Sequence, residues 1–188
     1  MKIGLCGTMS VGKTTLVKEL QKLKYFKDYE FATERSKYLS SLGIPLNTDS
    51  TLRGQVAFLT ERISEVKIPK IITDRTVIDV IAFSLNSKSM NDREKQSFEN
   101  LASKFIENYD HIFYINPEGT IIEDNGVRET NKLYRATIDR TIQILIEKYK
   151  DKMKNFSTIK GSTEDRIEQI LSILRPIPFP PDMYIRPV

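Results

Sequence analysis

Apolar residues along the chain form either short unbroken runs or longer stretches in which they recur every three or four positions. The short runs are typical of buried strands, and the longer spacing is typical of amphipathic helices. We predict five strands, at residues 3–6, 29–32, 70–73, 111–115 and 157–159. Helices are predicted at residues 16–23, 34–42, 50–66, 77–86, 91–109, 130–150 and 163–174.

This alternation of strands and helices also predicts the fold class. Strand–helix–strand units place their strands in parallel, with helices on both faces of the sheet. The unbroken apolar character of residues 70–73 suits a strand that is covered on both faces. We therefore predict an α/β protein with three layers around a central, mostly parallel five-stranded sheet.

Finer details of the helices can be predicted as well. Asp49 or Ser50 is expected to cap the helix at 50–66, and Asn91 or Asp92 the helix at 91–109. The inward faces of two helices are predicted from spacing: Leu52, Val56, Leu59 and Ile63 in one, and Leu133, Ile138, Ile142, Leu145 and Ile146 in the other.

A glycine-rich loop directly follows the first predicted strand. Residues 7–14 form a complete G-x-x-x-x-G-K-[ST] phosphate-binding motif. Its glycines let the backbone turn so that N–H groups face phosphate oxygens, and the next helix presents its positive N-terminal end. Lys13 is expected to reach the β- and γ-phosphates and Thr14 to bind Mg²⁺. The predicted phosphate contacts are Gly7, Thr8, Met9, Ser10, Val11, Gly12, Lys13, Thr14 and Thr15.

Carboxylates and arginines follow two other strands at their carboxyl ends, where parallel sheets bind ligands. Asp74 is predicted either to hold Mg²⁺ together with Thr14 or to cap the following helix. Glu34 either accepts a proton from an attacking hydroxyl or stabilises a helix dipole. Arg35 and Arg75 either bind an acceptor's phosphate or pair with these carboxylates.

A polar, turn-forming segment at residues 122–128 precedes the long helix at 130–150. Such a loop can fold over bound ATP and supply guanidinium groups to the transferred phosphate. Arg128 and Arg135 would lie on one face if the helix begins early, whereas Arg140 points elsewhere and could pair with a neighbouring carboxylate. The alternative for Arg135 and Arg140 is a solvated, charged helix.

Two further positions allow a functional and a structural interpretation. Gly161 and Ser162 follow the last strand, where a loop can hold an adenine ring, but Ser162 or Thr163 could equally be an N-cap. His111 opens the fourth strand and is predicted to be structural.

Composition and charge add limits to these predictions. The chain has 188 residues, a net charge of +4 and one cysteine, Cys6, which we expect to be a buried packing residue. No apolar segment approaches the ~20 residues that span a bilayer, so we expect a cytoplasmic protein without a membrane partner. The modest positive excess suits binding of a polyanionic nucleotide and supports contact with DNA or RNA only weakly.

The chain is predicted to form one domain over residues 1–174 and a Pro-rich tail over residues 175–188. Apolar residues between the tail's prolines suggest that it packs along the domain or against a partner. The oligomeric state is left open, a dimer included.

Taken together, several motifs resemble one group of enzymes. The chain is similar to the P-loop kinases of nucleosides and nucleotides, and more narrowly to NadR-type ribosylnicotinamide kinases and their small, often phage-encoded, AAA-type relatives. The motifs that carry the resemblance are residues 7–14, Glu34-Arg35, Asp74-Arg75-Thr76 with Asp79, 124–128 with Tyr134-Arg135, and Gly161-Ser162 with Arg166.

The resemblance implies a helical lid, ATP with Mg²⁺ and transfer of the γ-phosphate to a hydroxyl of a nucleoside-like acceptor. The implied catalytic residues are Lys13, Glu34, Asp74, Arg128 and Arg135, with Arg128, Gly161 and Ser162 also at the ATP. The implied acceptor contacts are Glu34, Arg35, Tyr38, Arg75 and Asp79. Residues 34–50 depart from the nicotinamide-specific pattern, because Tyr38 is the nearest candidate for its stacking aromatic residues.

Other functions remain as alternatives at this point. A kinase of this kind could act on a hydroxymethylated base within DNA, and a nucleotide-gated ATPase or binding module would also need the phosphate loop. A GTPase is disfavoured because Asn131-Lys132 continues as Leu133-Tyr134 and not as a guanine-reading motif. A motor ATPase usually has an acid directly after the strand-end aspartate, where this chain has Arg75.

Overall fold

The computed structural model describes residues 1–33, 35–119 and 132–175. Within these ranges five strands form one sheet in the order β2-β3-β1-β4-β5, and all neighbouring strands are parallel. The strands are β1 Lys2–Cys6, β2 Glu30–Ala32, β3 Ile71–Asp74, β4 His111–Ile115 and β5 Phe156–Ile159. Each lies within one residue of its predicted bounds.

Helices connect and cover the strands. They are α1 Lys13–Gln21, α2 Ser36–Ser41, α3 Leu52–Glu65, α4 Val77–Leu85, α5 Asp92–Ala102, α6 Lys132–Lys148 and α7 Thr163–Leu174. Short 3-10 turns occupy Lys24–Phe26, Asn47–Asp49, Ser103–Asn108 and Lys150–Lys152. The predicted single helix at 91–109 is therefore α5 followed by a 3-10 turn, and the helix predicted at 34–42 is the shorter α2.

Two apolar clusters lie on opposite faces of the sheet. Ile3 and Leu5 of β1 pack with α1 and α7 in one cluster. Cys6, also from β1, packs with α3, α4, α5 and α6 in the other. This arrangement follows from the alternation of side chains along a strand, and it confirms the predicted three-layer α/β architecture.

Two predicted helix faces are partly wrong. Val56 is 42% exposed because the buried stripe of α3 runs through Gln55, Leu59 and Arg62, about 90° away around the helix. Leu133 is 75% exposed because it lies about 140° around α6 from Ile138, which begins that helix's buried stripe. In α3 two of these buried positions are polar, so the spacing of apolar residues alone indicates a different face of the helix.

One of the two predicted helix caps is present, and His111 and Cys6 both have structural roles. The cap of α3 is Thr51, whose hydroxyl accepts from Gly54 N, and not Asp49 or Ser50. Asn91 caps α5, as predicted. His111 contacts the Ser157 hydroxyl at 3.0 Å and stacks on the Phe113 ring, and Cys6 is fully buried, so both have the structural roles expected of them.

None of the helices in the described ranges combines the length and the apolar character needed to cross a membrane. Residues 176–188 of the tail predicted at 175–188 lie outside the described residues, as do residues 120–131.

Candidate active site

The phosphate loop lies between the end of β1 and the start of α1. Its backbone has positive φ angles at Gly7 (151°), Ser10 (58°) and Gly12 (86°). A Cβ at Gly7 would lie 3.1 Å from the Ile115 carbonyl oxygen, so this turn has no room for a side chain. The loop thus has the turned backbone that the motif predicts.

Lys13 lies across this loop. Its side chain is 6% exposed, and Nζ donates to the carbonyl oxygens of Gly7 at 2.6 Å and Thr8 at 2.8 Å. The carboxylate of Asp79 lies 4.0 Å from the same nitrogen. Burial lowers the pKa of Lys13, and the Asp79 charge opposes that shift. The ammonium is therefore held at the loop, where bound phosphates would meet it.

Thr14 and Asp74 form the second part of the site. The Thr14 hydroxyl donates to the Asp74 carboxylate, and Asp74 is 1% exposed. The two meet because β1 and β3 are neighbours, with Leu5 paired to Asp74 in the sheet register. The cap of α4 is Thr76, so the alternative role of Asp74 as a helix cap is wrong.

This pair fits a magnesium ion in its chemistry. A hydroxyl and a carboxylate are hard oxygen ligands, and Mg²⁺ at nucleotide sites takes one or two protein ligands with phosphate oxygens and water. The described residues contain no group of three or more His, Cys, Asp or Glu side chains that could hold a metal by themselves. The phosphates of a nucleotide would therefore have to supply part of the coordination.

Asp79 is fully buried beneath the loop. One carboxylate oxygen accepts from Gly7 N at 3.0 Å, and the other accepts from the backbone N and the hydroxyl of Thr76, both at 2.8 Å. This placement corrects the prediction that Asp79 binds the acceptor, because the side chain has no exposed surface. Asp79 instead joins the start of α4 to the phosphate loop.

Next to the loop, the chain forms a cleft of about 520 Å³, including its part open to solvent. Gln55 is buried there and donates to the Ser50 hydroxyl at 2.9 Å. Arg75 has a φ of 110°, and its guanidinium lies over the Phe83 ring, 4.8 Å from the ring centre. The lining residues are Met9, Ser36, Leu46, Asn47, Ser50, Gln55, Phe58, Arg75, Val80 and Phe83.

Arg35 and Tyr38 lie close along the chain to Ser36, which lines this cleft. The Arg35 guanidinium is 4.4 Å from the centre of the Tyr38 ring and 3.7 Å from the Glu61 carboxylate. The side chains of Arg35 and Tyr38 are about half exposed. Arg35 therefore pairs with an acid of α3 that the sequence interpretation did not consider. Glu34, the predicted base, lies outside the described residues.

The sequence also missed a buried arginine behind Asp74. Arg62 is 2% exposed, donates to the Asp74 carbonyl oxygen at 3.2 Å and pairs with Glu65 at 2.5 Å. Burial raises the pKa of Glu65 to about 7, against the opposing charge of Arg62. The signal that could have revealed Gln55 and Arg62 is their helical spacing with Leu59 in one stripe.

On the opposite side of the loop lies the first part of α6. The Thr8 hydroxyl donates to the Arg135 carbonyl oxygen at 3.1 Å. One turn later, Asp139 accepts from the Tyr114 hydroxyl and from Gln143, both at 2.9 Å. Burial lowers the pKa of Arg135, and the charge of Asp139 opposes this. The backbone of Arg135 is thus adjacent to the phosphate loop, and the predicted role of its guanidinium at the transferred phosphate stays a prediction.

The other predicted lid residues have different outcomes. Arg140 is exposed on α6. Arg128 lies in the segment outside the described residues.

The loop after β5 reaches the phosphate loop from the far end of the chain. Ser162 caps α7 in a capping box with Asp165, so its N-cap interpretation is confirmed. Gly161 has a φ of 91°. Arg166 is 4% exposed, and its guanidinium donates to the Val11 carbonyl oxygen at 2.5 Å. The predicted adenine contacts at Gly161 and Ser162 stay predictions.

The geometry thus brings together the side chains of Lys13, Thr14 and Asp74 and the backbone of Arg135 around one loop, with a cleft beside it. Known proteins share both the sequence pattern and the fold of this chain. The sequence profile of the AAA domain family matches residues 2–166, which is most of the chain. No curated protein matches the chain at a significant level.

Solved structures of several kinases are similar to this one. The deoxyadenosine kinase from M. mycoides with bound dCTP superimposes with a TM-score of 0.65 and 20% identity, over 94% of this chain and 100% of that chain. Thymidylate kinase from Candida albicans gives 0.64 and 17%, over 92% of this chain and 89% of that chain. A NadR protein in complex with NR gives 0.72 and 16%, over 95% of this chain but 52% of that chain.

At such low identity the structural likeness defines the fold, and the match to the family profile defines the membership. The chain belongs to the AAA domain family, and its fold is that of the P-loop nucleoside and nucleotide kinases.

Proposed function

We propose that the protein is an ATP-dependent phosphotransferase that moves the γ-phosphoryl group onto a hydroxyl of a nucleoside-like acceptor. The observation that carries this proposal is the placement of the acceptor cleft. Met9 of the phosphate loop and Arg75, next to Asp74, both line it. A molecule in the cleft would therefore lie beside the γ-phosphate of a nucleotide bound in the loop.

The phosphate loop and its neighbours would bind the donor. The loop N–H groups and the start of α1 contact the phosphates. Lys13 exchanges its two carbonyl partners for phosphate oxygens, and Arg135 approaches from α6. Thr14 and Asp74 would hold Mg²⁺, which when bound neutralises part of the charge on the β- and γ-phosphates.

Glu34 is the base in this proposal. The Asp74 carboxylate already accepts the Thr14 hydroxyl and is the candidate metal ligand, and both roles make it a poor proton acceptor. The acceptor oxygen forms a bond to the γ-phosphorus as the bond from that phosphorus to the β–γ bridging oxygen breaks. ADP leaves with the electron pair, and the acceptor's proton goes to Glu34.

The lining of the cleft supports a nucleoside-like acceptor. Phe58 and Phe83 offer flat apolar rings, and the buried Gln55 offers an amide that can both donate and accept hydrogen bonds. Rings and amides of this kind suit a heterocyclic base with polar edges. The kinases of similar fold, which act on deoxyadenosine and thymidylate, agree with this class by analogy.

The test is a transfer screen with γ-labelled ATP against nucleosides, nucleoside monophosphates, ribosylnicotinamide and DNA that contains hydroxymethylated bases. We expect label in at least one free nucleoside-like compound, and its loss in the Lys13→Ala variant. Lys18→Ala, which removes an exposed lysine of α1, is the matched control and should retain transfer. Label found only in DNA, or released only as phosphate with a partner protein, would contradict the proposal.

A further inference from the structure

Arg166 makes an unusual contact with the phosphate loop. It lies in the first turn of α7, 155 positions along the chain from Val11, yet its guanidinium donates to the Val11 carbonyl oxygen at 2.5 Å. A Cβ added to Gly12 would lie 3.1 Å from the same guanidinium nitrogen. The arginine therefore packs directly on the turn that leads into Lys13.

Arg166 is buried in a setting that does not favour a charged side chain, so stability alone is a poor explanation for it. Its side chain is 4% exposed, and no carboxylate pairs with it within the described ranges. Its Nε atom is buried without a hydrogen-bond partner among the described residues. A buried cation that has no counter-charge among the described residues costs stability, and the Val11 contact offsets part of that cost.

The direction of the Val11 carbonyl matters for phosphate binding. A loop whose N–H groups converge on an anion must turn its carbonyl oxygens away from that anion, because their partial negative charges would repel phosphate. A charged donor that holds one carbonyl from outside stabilises this orientation.

The loop after β5 fixes the position of Arg166. Asp165 and Ser162 form a capping box, and Arg166 N donates to the Ser162 carbonyl oxygen at 3.1 Å. Gly161 closes the turn: a Cβ there would lie 2.5 Å from the Asp165 carboxylate. The guanidinium is therefore presented to the phosphate loop by a capped and tightly turned segment.

We infer that Arg166 is a positioning residue for the triphosphate: it holds the Val11 carbonyl outward and keeps the phosphate loop in its binding conformation. The inference rests on the proposed binding of ATP but not on the identity of the acceptor. It concerns the phosphates and not the base, although Arg166 is next to the segment predicted to hold adenine.

Binding measurements on two probes separate an effect of Arg166 on the phosphates from a contact with the base. Dissociation constants are measured by calorimetry for a non-hydrolysable ATP analogue and for inorganic tripolyphosphate, both with Mg²⁺. Arg166→Met should weaken both probes by about tenfold, the loss typical of one charge-assisted hydrogen bond. Arg166→Lys should fall between Met and the wild type, because an ammonium can still donate to a carbonyl. Arg93→Met, which removes an exposed arginine of α5, is the matched control and should change neither constant.

The outcomes distinguish this inference from the proposed function. Equal affinities in Arg166→Met and the wild type would overturn it, as would a loss confined to the ATP analogue, which would indicate a contact with the base. If Arg166→Met does not fold, Arg166→Lys decides the question by the same comparison of the two probes. A wild-type protein that binds neither probe would refute the proposed ATP site itself.

Discussion

At the scale of single residues, the site depends on buried polar groups with several partners each. Lys13 contacts two carbonyl oxygens and lies near Asp79, while Asp74 accepts from Thr14 and is held through its own carbonyl by Arg62. These contacts keep the charged groups at the loop before a ligand arrives, so that nucleotide binding exchanges local partners without moving the backbone that holds them. Each contact can be tested by its own substitution.

The lowered pKa of Lys13 predicts a pH dependence of nucleotide binding. Phosphate favours the charged ammonium, so ATP affinity should be constant at neutral pH and fall as the pH rises through the lowered pKa of Lys13. Loss of one proton limits the decrease to about tenfold per pH unit. Titration of ATP-analogue binding from pH 7 to 10 measures it. Lys13→Arg keeps the charge and should remove this decrease, and an unchanged decrease would contradict the assignment.

Gln55 should affect the acceptor and not the donor. Gln55→Leu keeps the size of the side chain but removes the amide from the cleft, so the acceptor KM should rise by about tenfold or more, as expected for one lost hydrogen bond to a base. The KM for ATP should stay within twofold, since Gln55 has no predicted role at the phosphate loop. Gln96→Leu on the exposed side of α5 is the control. Equal changes in both KM values would point to a general loss of structure.

At the scale of elements, α4 and the phosphate loop form one unit through Asp79. Its two oxygens satisfy the N-terminus of α4 and Gly7 at the same time. In Asp79→Asn one oxygen becomes an amide donor, which would face another N–H group. We expect the free energy of unfolding to fall by about 2 kcal/mol, measured by urea denaturation. ATP-analogue binding should weaken in the same variant, because the carboxylate that joins Gly7 to α4 and lies near Lys13 becomes a neutral amide with only one acceptor oxygen.

A second capping box provides the control for that variant. Glu94 caps α5 with Asn91 in an exposed position away from the loop. Glu94→Gln should cost less than about 1 kcal/mol and leave binding unchanged. If Asp79→Asn destabilises no more than Glu94→Gln and binds nucleotide normally, Asp79 is only a helix cap.

At the scale of the whole molecule, the sequence predicts the layers and the phosphate loop well. All five strands lie within one residue of their predicted bounds, and the central strands β1, β3 and β4 are the clearest, because a parallel strand covered on both faces admits few polar residues. The polar lining of the cleft at Gln55 and the buried Arg62 behind Asp74 were not predicted, since both occupy buried positions of α3 that polar residues normally avoid. The resemblance implied that Asp79 contacts the acceptor, and sequence alone did not show that its carboxylate is buried and bonded to Gly7.

The most direct test of the central claim is the fate of the γ-phosphate. Wild-type protein is incubated with γ-labelled ATP, Mg²⁺ and a mixture of free nucleosides, and the label is divided by chromatography into organic and inorganic phosphate. The account predicts that most of the label becomes bound to a nucleoside hydroxyl, and that Asp74→Asn, which retains the shape of the side chain but weakens the metal site, abolishes this transfer. Label that appears only as inorganic phosphate, at a rate unaffected by the nucleosides, would contradict it.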